Sequence, residues 1–258
     1  RTDRRGVDAI AAGGGNIQVL ADGSMPNTAS FIGAYAEGVR ASWAAARAND
    51  RGTTGTAPIQ TASRFWFNPE LKSRYFLVPG SIAVVMTMVG TLLTSLVIAR
   101  EWERGTLEAI MATPVGMIEF IATKVLPYFL LALISMTLCA ALAITVFGVP
   151  FRGSIMALLA IASAFLFPAL GQGLLISAAT KNQFVASQVA LLSAFLPTML
   201  LSGFLFEISS MPRAIQAITY LVPSRYLIPQ LQTVFIAGDD WRLFLPNMAV
   251  LTGFGVLF

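Results

Sequence analysis

Between its charged residues the chain holds four long apolar stretches, residues 75–99, 125–151, 153–180 and 182–206, and a fifth that begins at Leu243. Crossing a hydrocarbon core takes about 20 mostly apolar residues. Each stretch is long enough to cross with some tilt or flanking turns, and none of the four complete ones contains an ionisable side chain. The pattern predicts spans near 77–99, 122–147, 154–178, 184–206 and 242–258.

Residues 1–74 are patterned differently. Residues 16–21 form a strand candidate closed by the turn chemistry of Asp22-Gly-Ser. Thr28 can cap a helix reaching about Ala48, along which Phe31, Tyr35, Val39 and Trp43 recur every fourth residue as a packing face. Residues 52–56 read as a loop and 64–68 as an extended segment before Pro69. These elements predict a small α/β domain whose own core would be marginal.

Two connections carry further pattern. In residues 100–114, Gly105 breaks the chain, Thr106 can cap a short helix, Leu107, Ile110 and Met111 line one side of it, and Pro114 ends it. The expected result is an amphipathic helix near 106–113 lying on the membrane surface. After Phe206, Ser210 can cap a helix with Pro212 in its first turn, running to about Leu221. Pro223 stops it, and Ser224 can cap a second helix with Gly238 beyond its end. Neither is long enough to span. A re-entrant hairpin near 208–237 is possible at depth only if buried in protein; an interfacial loop is the alternative.

Composition strengthens the membrane assignment. Hydrophobic residues make up 56% of the chain and charged ones 12%, with mean hydropathy +0.72, against about a quarter charged in a soluble domain. Nine of the 17 Lys and Arg and six of the 13 Asp and Glu fall in residues 1–74, which sets a water-facing segment apart from a membrane domain in 75–258. The basic residues do not cluster, which argues against nucleic-acid binding. There is no histidine, and Cys139 is the one cysteine, so Ser-His-Asp or Cys-His catalysis, disulfide frameworks and the usual zinc sites are excluded. No phosphate-binding Gly-Lys-Ser/Thr loop is present. Spans without charge also argue against a proton-coupled carrier. What remains is a membrane unit whose energy source, if it has one, sits on another chain. The start, Arg1-Thr-Asp-Arg-Arg, lacks the apolar core of a signal peptide, and residues 250–258 stop inside an apolar run, so the chain reads as part of a longer one. The short loops carry four basic residues on each side (Arg100, Arg104, Lys124 and Lys181 against Arg152, Arg213, Arg225 and Arg242), which leaves the positive-inside rule undecided.

Arg64-Phe-Trp-Phe-Asn-Pro-Glu-Leu71, Val78-Pro-Gly80 and Arg100-Glu-Trp-Glu-Arg-Gly-Thr-Leu-Glu108 with Thr113-Pro114 resemble a type-2 ABC transporter permease. The closest likeness is to the bacterial multidrug-export subgroup with a large extracytoplasmic domain after the first span. Residues 16–24 with Asn27 and Thr28 resemble that domain; Leu201-Ser-Gly-Phe-Leu-Phe206, Met211-Pro212 and Val222-Pro-Ser-Arg-Tyr226 resemble the family's closing third.

The resemblance implies an α-helical polytopic membrane protein with the type-2 ABC exporter fold and a small α/β extracytoplasmic domain. It implies six spans, of which the first is missing here and the last is incomplete. It further implies a second permease subunit (the same chain or a different one), a P-loop ATPase that holds ATP and Mg, a periplasmic adaptor as a further candidate partner, and a bacterial inner-membrane location with residues 1–74 outside. No cofactor is expected on this chain.

The loop from Glu101 and Glu103 through Arg104, Gly105, Thr106, Leu107, Glu108, Ile110, Met111, Thr113 and Pro114 would carry the ATPase-coupling helix. Its alternating charges would set register, and Leu107, Ile110 and Met111 would be its buried anchor; a helix holding lipid headgroups is the bland alternative. Glu207 and Arg225 can pair across an outer gate. Gln172, Gln183 and Gln188 can hydrogen-bond between helices or touch substrate. Rival functions are a stand-alone secondary carrier or channel, and a membrane scaffold presenting its outer domain.

Overall fold

The computed structural model describes residues 26–51 and 72–258, and every regular element among them is helical. The strand expected at 16–21, the loop at 52–56 and the extended segment at 64–68 lie outside the described residues. The chain divides into two units, residues 1–76 and 77–258.

In the first unit, α1 runs Pro26–Arg51. It begins two residues ahead of the expected Thr28 cap, because proline is well suited to a helix's first turn. Three of the four residues of the stripe expected to pack are open, Phe31, Tyr35 and Val39 at 64%, 76% and 68% exposed, while Trp43 is half-buried.

The second unit is built from α2 (Ser73–Glu103), whose first turn belongs to the first unit, α3 (Thr106–Met111), α4 (Met117–Thr145), α5 (Ile155–Thr180) and α6 (Gln183–Leu201). A 3₁₀ turn at Ile208–Ser210, α7 (Arg213–Thr219), α8 (Ser224–Ile236) and α9 (Trp241–Leu257) follow. Four helices, α2, α4, α5 and α6, are long and apolar enough to cross a membrane, and α9 is a shorter apolar helix of 17 residues. The 31 residues of α2 extend roughly 46 Å against a hydrocarbon core of about 30 Å, so its last turn projects beyond the span. The span expected from 122 begins its helix at Met117, since the first turns of α4 lie at the polar end and tolerate Glu119 and Lys124. The stretch expected to run to 206 ends its helix at Leu201, and Gly203 at φ 86° turns the chain away.

α5 is the central element. It packs against α4, α6, α8 and α9 and crosses α2 at close range. Ala169, Gly173 and Ser177 recur every fourth residue on α5, the spacing of one helix face. A Cβ placed on Gly90 of α2 would stand 3.2 Å from that of Ala169, and one placed on Gly173 would overlap Thr94 Oγ1 and the Thr91 carbonyl oxygen. Small residues at such a crossing let two backbones approach, which is how helices associate where lipid is as apolar as leucine. Ser177, fully buried, closes the crossing: its hydroxyl oxygen accepts from the backbone N–H of Ile98 at 3.0 Å and of Ala99 at 2.8 Å.

The two short helices after Phe206 have different fates. α7 is largely exposed, whereas α8 is enclosed by α5, α6 and α9, with Leu227, Leu231, Val234 and Phe235 at 0% exposure. The enclosure of α8 meets the condition for a non-spanning helix at depth. Its last turn is tied to the α4–α5 connection by Arg152 N–H to Phe235 O at 3.1 Å and Gly153 N–H to Val234 O at 2.9 Å. Asp239 accepts from Ser154 N–H at 2.8 Å, so this end of the bundle is stitched across three elements.

Candidate functional site

The connection from α2 to α4 is ordered by its own charges. Gly105 takes φ 68°, a left-handed conformation that other residues reach only with strain, and it separates α3 from the end of α2. Thr106, expected as the helix cap, is the first residue inside α3, and Gly105 holds the cap position. Its hydroxyl instead donates to the Glu101 carboxylate, with the Glu101 carbonyl oxygen at 3.2 Å, because a charged oxygen is the stronger acceptor. The other oxygen of Glu101 meets Lys124 Nζ of α4 at 2.7 Å.

Glu103 makes the second tie. Its carboxylate accepts from Gln183 N–H at 2.8 Å and from Gln183 Nε2 at 2.5 Å, at the start of α6. Arg100 Nε approaches the Gln183 carbonyl oxygen at 3.5 Å, and Lys181 Nζ stands 4.0 Å from the Trp102 ring centroid. Together these contacts bind the loop to α4 through Glu101 and to the α5–α6 turn through Glu103 and Trp102.

Both carboxylates lie past the span, and their pKa values are held below the ordinary range. Glu101 is lowered chiefly by its hydrogen bond from Lys124, then by that from Thr106. Glu103 is lowered chiefly by the Gln183 backbone N–H, then by the Gln183 side chain. A depressed carboxylate contributes stability above its unfolded pKa and loses it as pH falls through the folded value. The loop's resistance to limited proteolysis is therefore expected to stay constant from neutral pH down to about pH 5 and to fall only in stronger acid. A steady loss beginning above pH 6 would contradict the ties.

These ties redistribute the residues expected to dock. Glu101 and Glu103 are occupied within the chain. Leu107, expected as an anchor for a partner, is turned into the chain's own interior at 7% exposure, and Ile110 is half-buried; the Met111 side chain lies outside the described ones. What faces outward is Arg104, Gly105, Thr106, Glu108, Thr113 and Pro114. An apolar rim of Val115, Met117 and Ile118, 50%, 56% and 84% exposed, adjoins them. That rim was passed over in the sequence because it merges with the apolar run of α4.

Elsewhere the structure separates residues expected together. Glu207 and Arg225 form no ion pair: Glu207 accepts from the Ser209 hydroxyl at 2.5 Å. Arg225 donates to the Thr219 hydroxyl and to Gln216 O at 3.3 Å and lies 3.7 Å from the Tyr220 ring centroid. Each charge finds its partner on nearby turns before it can reach the other. Of the three glutamines, Gln183 belongs to the loop and Gln188 is exposed on α6. Gln172 lines a cavity of about 130 Å³ between α2, α5, α6 and the turn before α8.

Residues 9–258 match the model of the ABC-2 family transporter proteins. The chain is 47% identical over 242 residues to the "Probable multidrug ABC transporter permease YbhS" of Escherichia coli (strain K12), covering 94% of this chain and 64% of that one. It is 26% identical over 223 residues to the "Probable multidrug ABC transporter permease YbhR" of the same strain, covering 85% and 59%. To "ABC transporter G family member 20" of Dictyostelium discoideum it is 25% identical over 210 residues, covering 75% and 29%. The chain thus spans less than two thirds of the length of each of these relatives. No solved structure matches it. The helices long and apolar enough to span a membrane and the match along nearly the whole chain agree: this is a multi-pass membrane chain, and it belongs to the ABC-2 family of transporter proteins.

Proposed function

We propose that the chain is the membrane subunit of an ATP-driven exporter that moves a hydrophobic or amphipathic, drug-like substrate out across the bacterial inner membrane. ATP hydrolysis belongs to a separate P-loop ATPase, and a second permease subunit completes the path. In this reading the loop between α2 and α4 is cytoplasmic, and residues 1–74 are extracytoplasmic. Its main support is the tied loop. Glu101 and Glu103, on the last turn of α2, fasten that turn to α4 and to the start of α6, and Glu101 also holds Thr106 of α3, so a push on the exposed face around Glu108 reaches three spans at once. The absence of ionisable residues from the apolar stretches fits a cargo without charge-specific contacts, and the names of the bacterial relatives fit drug-like cargo.

Capture of the ATPase by tagged full-length permease from membranes tests this. The Glu108 side chain is exposed, so Glu108→Lys is expected to leave thermal stability unchanged, within about 0.5 kcal/mol. The same reversal of charge is expected to reduce ATPase capture about tenfold, a loss of about 1.4 kcal/mol at the interface. Equal capture by both forms would remove Glu108 from the interface. If the intact permease captured no ATPase yet moved substrate in vesicles, a stand-alone carrier would be the better account.

A further inference from the structure

The cavity holding Gln172 is unusual for an apolar bundle, because hydrogen-bonding groups on its wall have capacity that the protein leaves unused. Gln172 carries two N–H donors and a carbonyl oxygen. Its one bond is from Nε2 to Ser193 Oγ at 3.4 Å, at the weak limit of a hydrogen bond. Thr198, 1% exposed, forms no hydrogen bond through its hydroxyl among the described residues.

The third group is hidden in the backbone. Pro197 sits within α6 and has no N–H, so the carbonyl of Ser193, four residues earlier, loses its helical donor. Ser193, Pro197, Thr198 and Gln172 all line the one cavity, together with Thr87, whose hydroxyl is already bonded to Ala83 O at 2.7 Å. No ionisable side chain contributes. Leaving such groups unpaired in an apolar interior costs on the order of 1–3 kcal/mol each.

We propose that this cavity binds a small, uncharged hydrogen-bonding group that both donates and accepts, through Gln172, the Ser193 carbonyl and the Thr198 hydroxyl. Ions are disfavoured because nothing on the wall offsets their desolvation. At about 130 Å³ the cavity holds about four waters at roughly 30 Å³ each, or the hydroxyl or amide end of an amphipathic molecule whose apolar body stays outside. The site stands on its geometry alone; only its assignment to passing cargo rests on the exporter reading. Leu221, 68% exposed, borders the cavity at the turn before α8.

Thiol chemistry in the full-length permease tests this without needing an ATPase or a known cargo, so failure here is separate from failure of the exporter reading. In a Cys139→Ser background, Ser193→Cys places a near-isosteric thiol on the wall. Its rate of modification by methyl methanethiosulfonate, an uncharged reagent, in lipid vesicles is compared with Leu196→Cys, an exposed apolar position on the same helix. The Ser193→Cys thiol is expected to react about tenfold faster, since only a hydrated thiol ionises to the reactive thiolate. Adding Gln172→Leu should bring it down to the control. Slowing by 1-octanol but not by n-octane would assign the site to a hydroxyl-bearing cargo; no slowing by either would assign it to water. If Ser193→Cys fails to fold, Thr198→Cys reports from a second position on the same cavity wall. A thiol at either position as slow as Leu196→Cys, with no effect of Gln172→Leu, overturns the site.

Discussion

Gly173→Leu is expected to abolish accumulation of folded permease, and even Gly173→Ala should lower its stability by about 3 kcal/mol, the upper part of the overpacking range. The cause is the crossing of α2 and α5. A Cβ at Gly173 would overlap Thr94 Oγ1 and the Thr91 carbonyl oxygen and would stand 3.1 Å from the Ser95 nitrogen. Two of these atoms are backbone, so no rotamer change relieves the overlap, and the helices must separate. Separation also lengthens the bonds from Ile98 and Ala99 to the Ser177 hydroxyl and opens the contact between Gly90 and Ala169. Thermal unfolding in detergent reads the alanine variant, and gel filtration of membrane extracts reads the leucine one. An alanine variant that melts with the wild type would mean that α2 and α5 lie farther apart than this structure places them.

Leu107→Asp is expected to be nearly as severe, for a different reason. Leu107 is 7% exposed within the chain, so the substitution removes about 2 kcal/mol of apolar burial and sets a carboxylate where it has no partner. A loss of about 3 kcal/mol or more follows, and α3 should come away from its seat, exposing the loop around Gly105 to protease. Set beside Glu108→Lys, one residue along, the two variants separate two roles. Loss of ATPase capture in Leu107→Asp should come with protease sensitivity and a lowered melting point; in Glu108→Lys it should come with neither. If Leu107→Asp weakened capture while stability and protease resistance stayed at wild-type levels, Leu107 would be a partner contact after all.

The spans were legible because hydrophobic length is a property of sequence alone. Helices α2, α4, α5 and α6 each lie on the apolar stretch that predicted them, although only α2 contains the whole of its stretch. Boundaries were less legible. The start of α4 moved to Met117 because a helix is free to extend past the hydrocarbon into polar surroundings, and no hydropathy pattern marks that point. The short helix after Gly105 was legible from its breaker and its apolar side. Which of its residues face out was not, because that depends on what Glu101 and Glu103 bind. Lys124 is 23 positions from its partner Glu101, and Gln183 is 80 positions from Glu103. Nothing local to the loop announces either pairing. The same holds for the outer charges: opposite signs at Glu207 and Arg225 invited a pair, while the turns between them supplied nearer partners in Ser209, Gln216 and Thr219.

Sequence by itself therefore determined that this is a membrane chain with uncharged spans, without catalytic histidine chemistry or its own ATP-binding loop, and with one short charged helix between its first two long apolar stretches. Those properties follow from composition and from spacing along a single helix, which any window of residues displays. Tertiary structure alone decided that α5 lies at the centre, that α8 is enclosed while α7 is not, that Leu107 turns inward, and that Gln172 lines a cavity together with Ser193 and Thr198. Each of these depends on which distant residues meet, and a glycine on α5 settles how near two helices come only once the other helix is there to meet it.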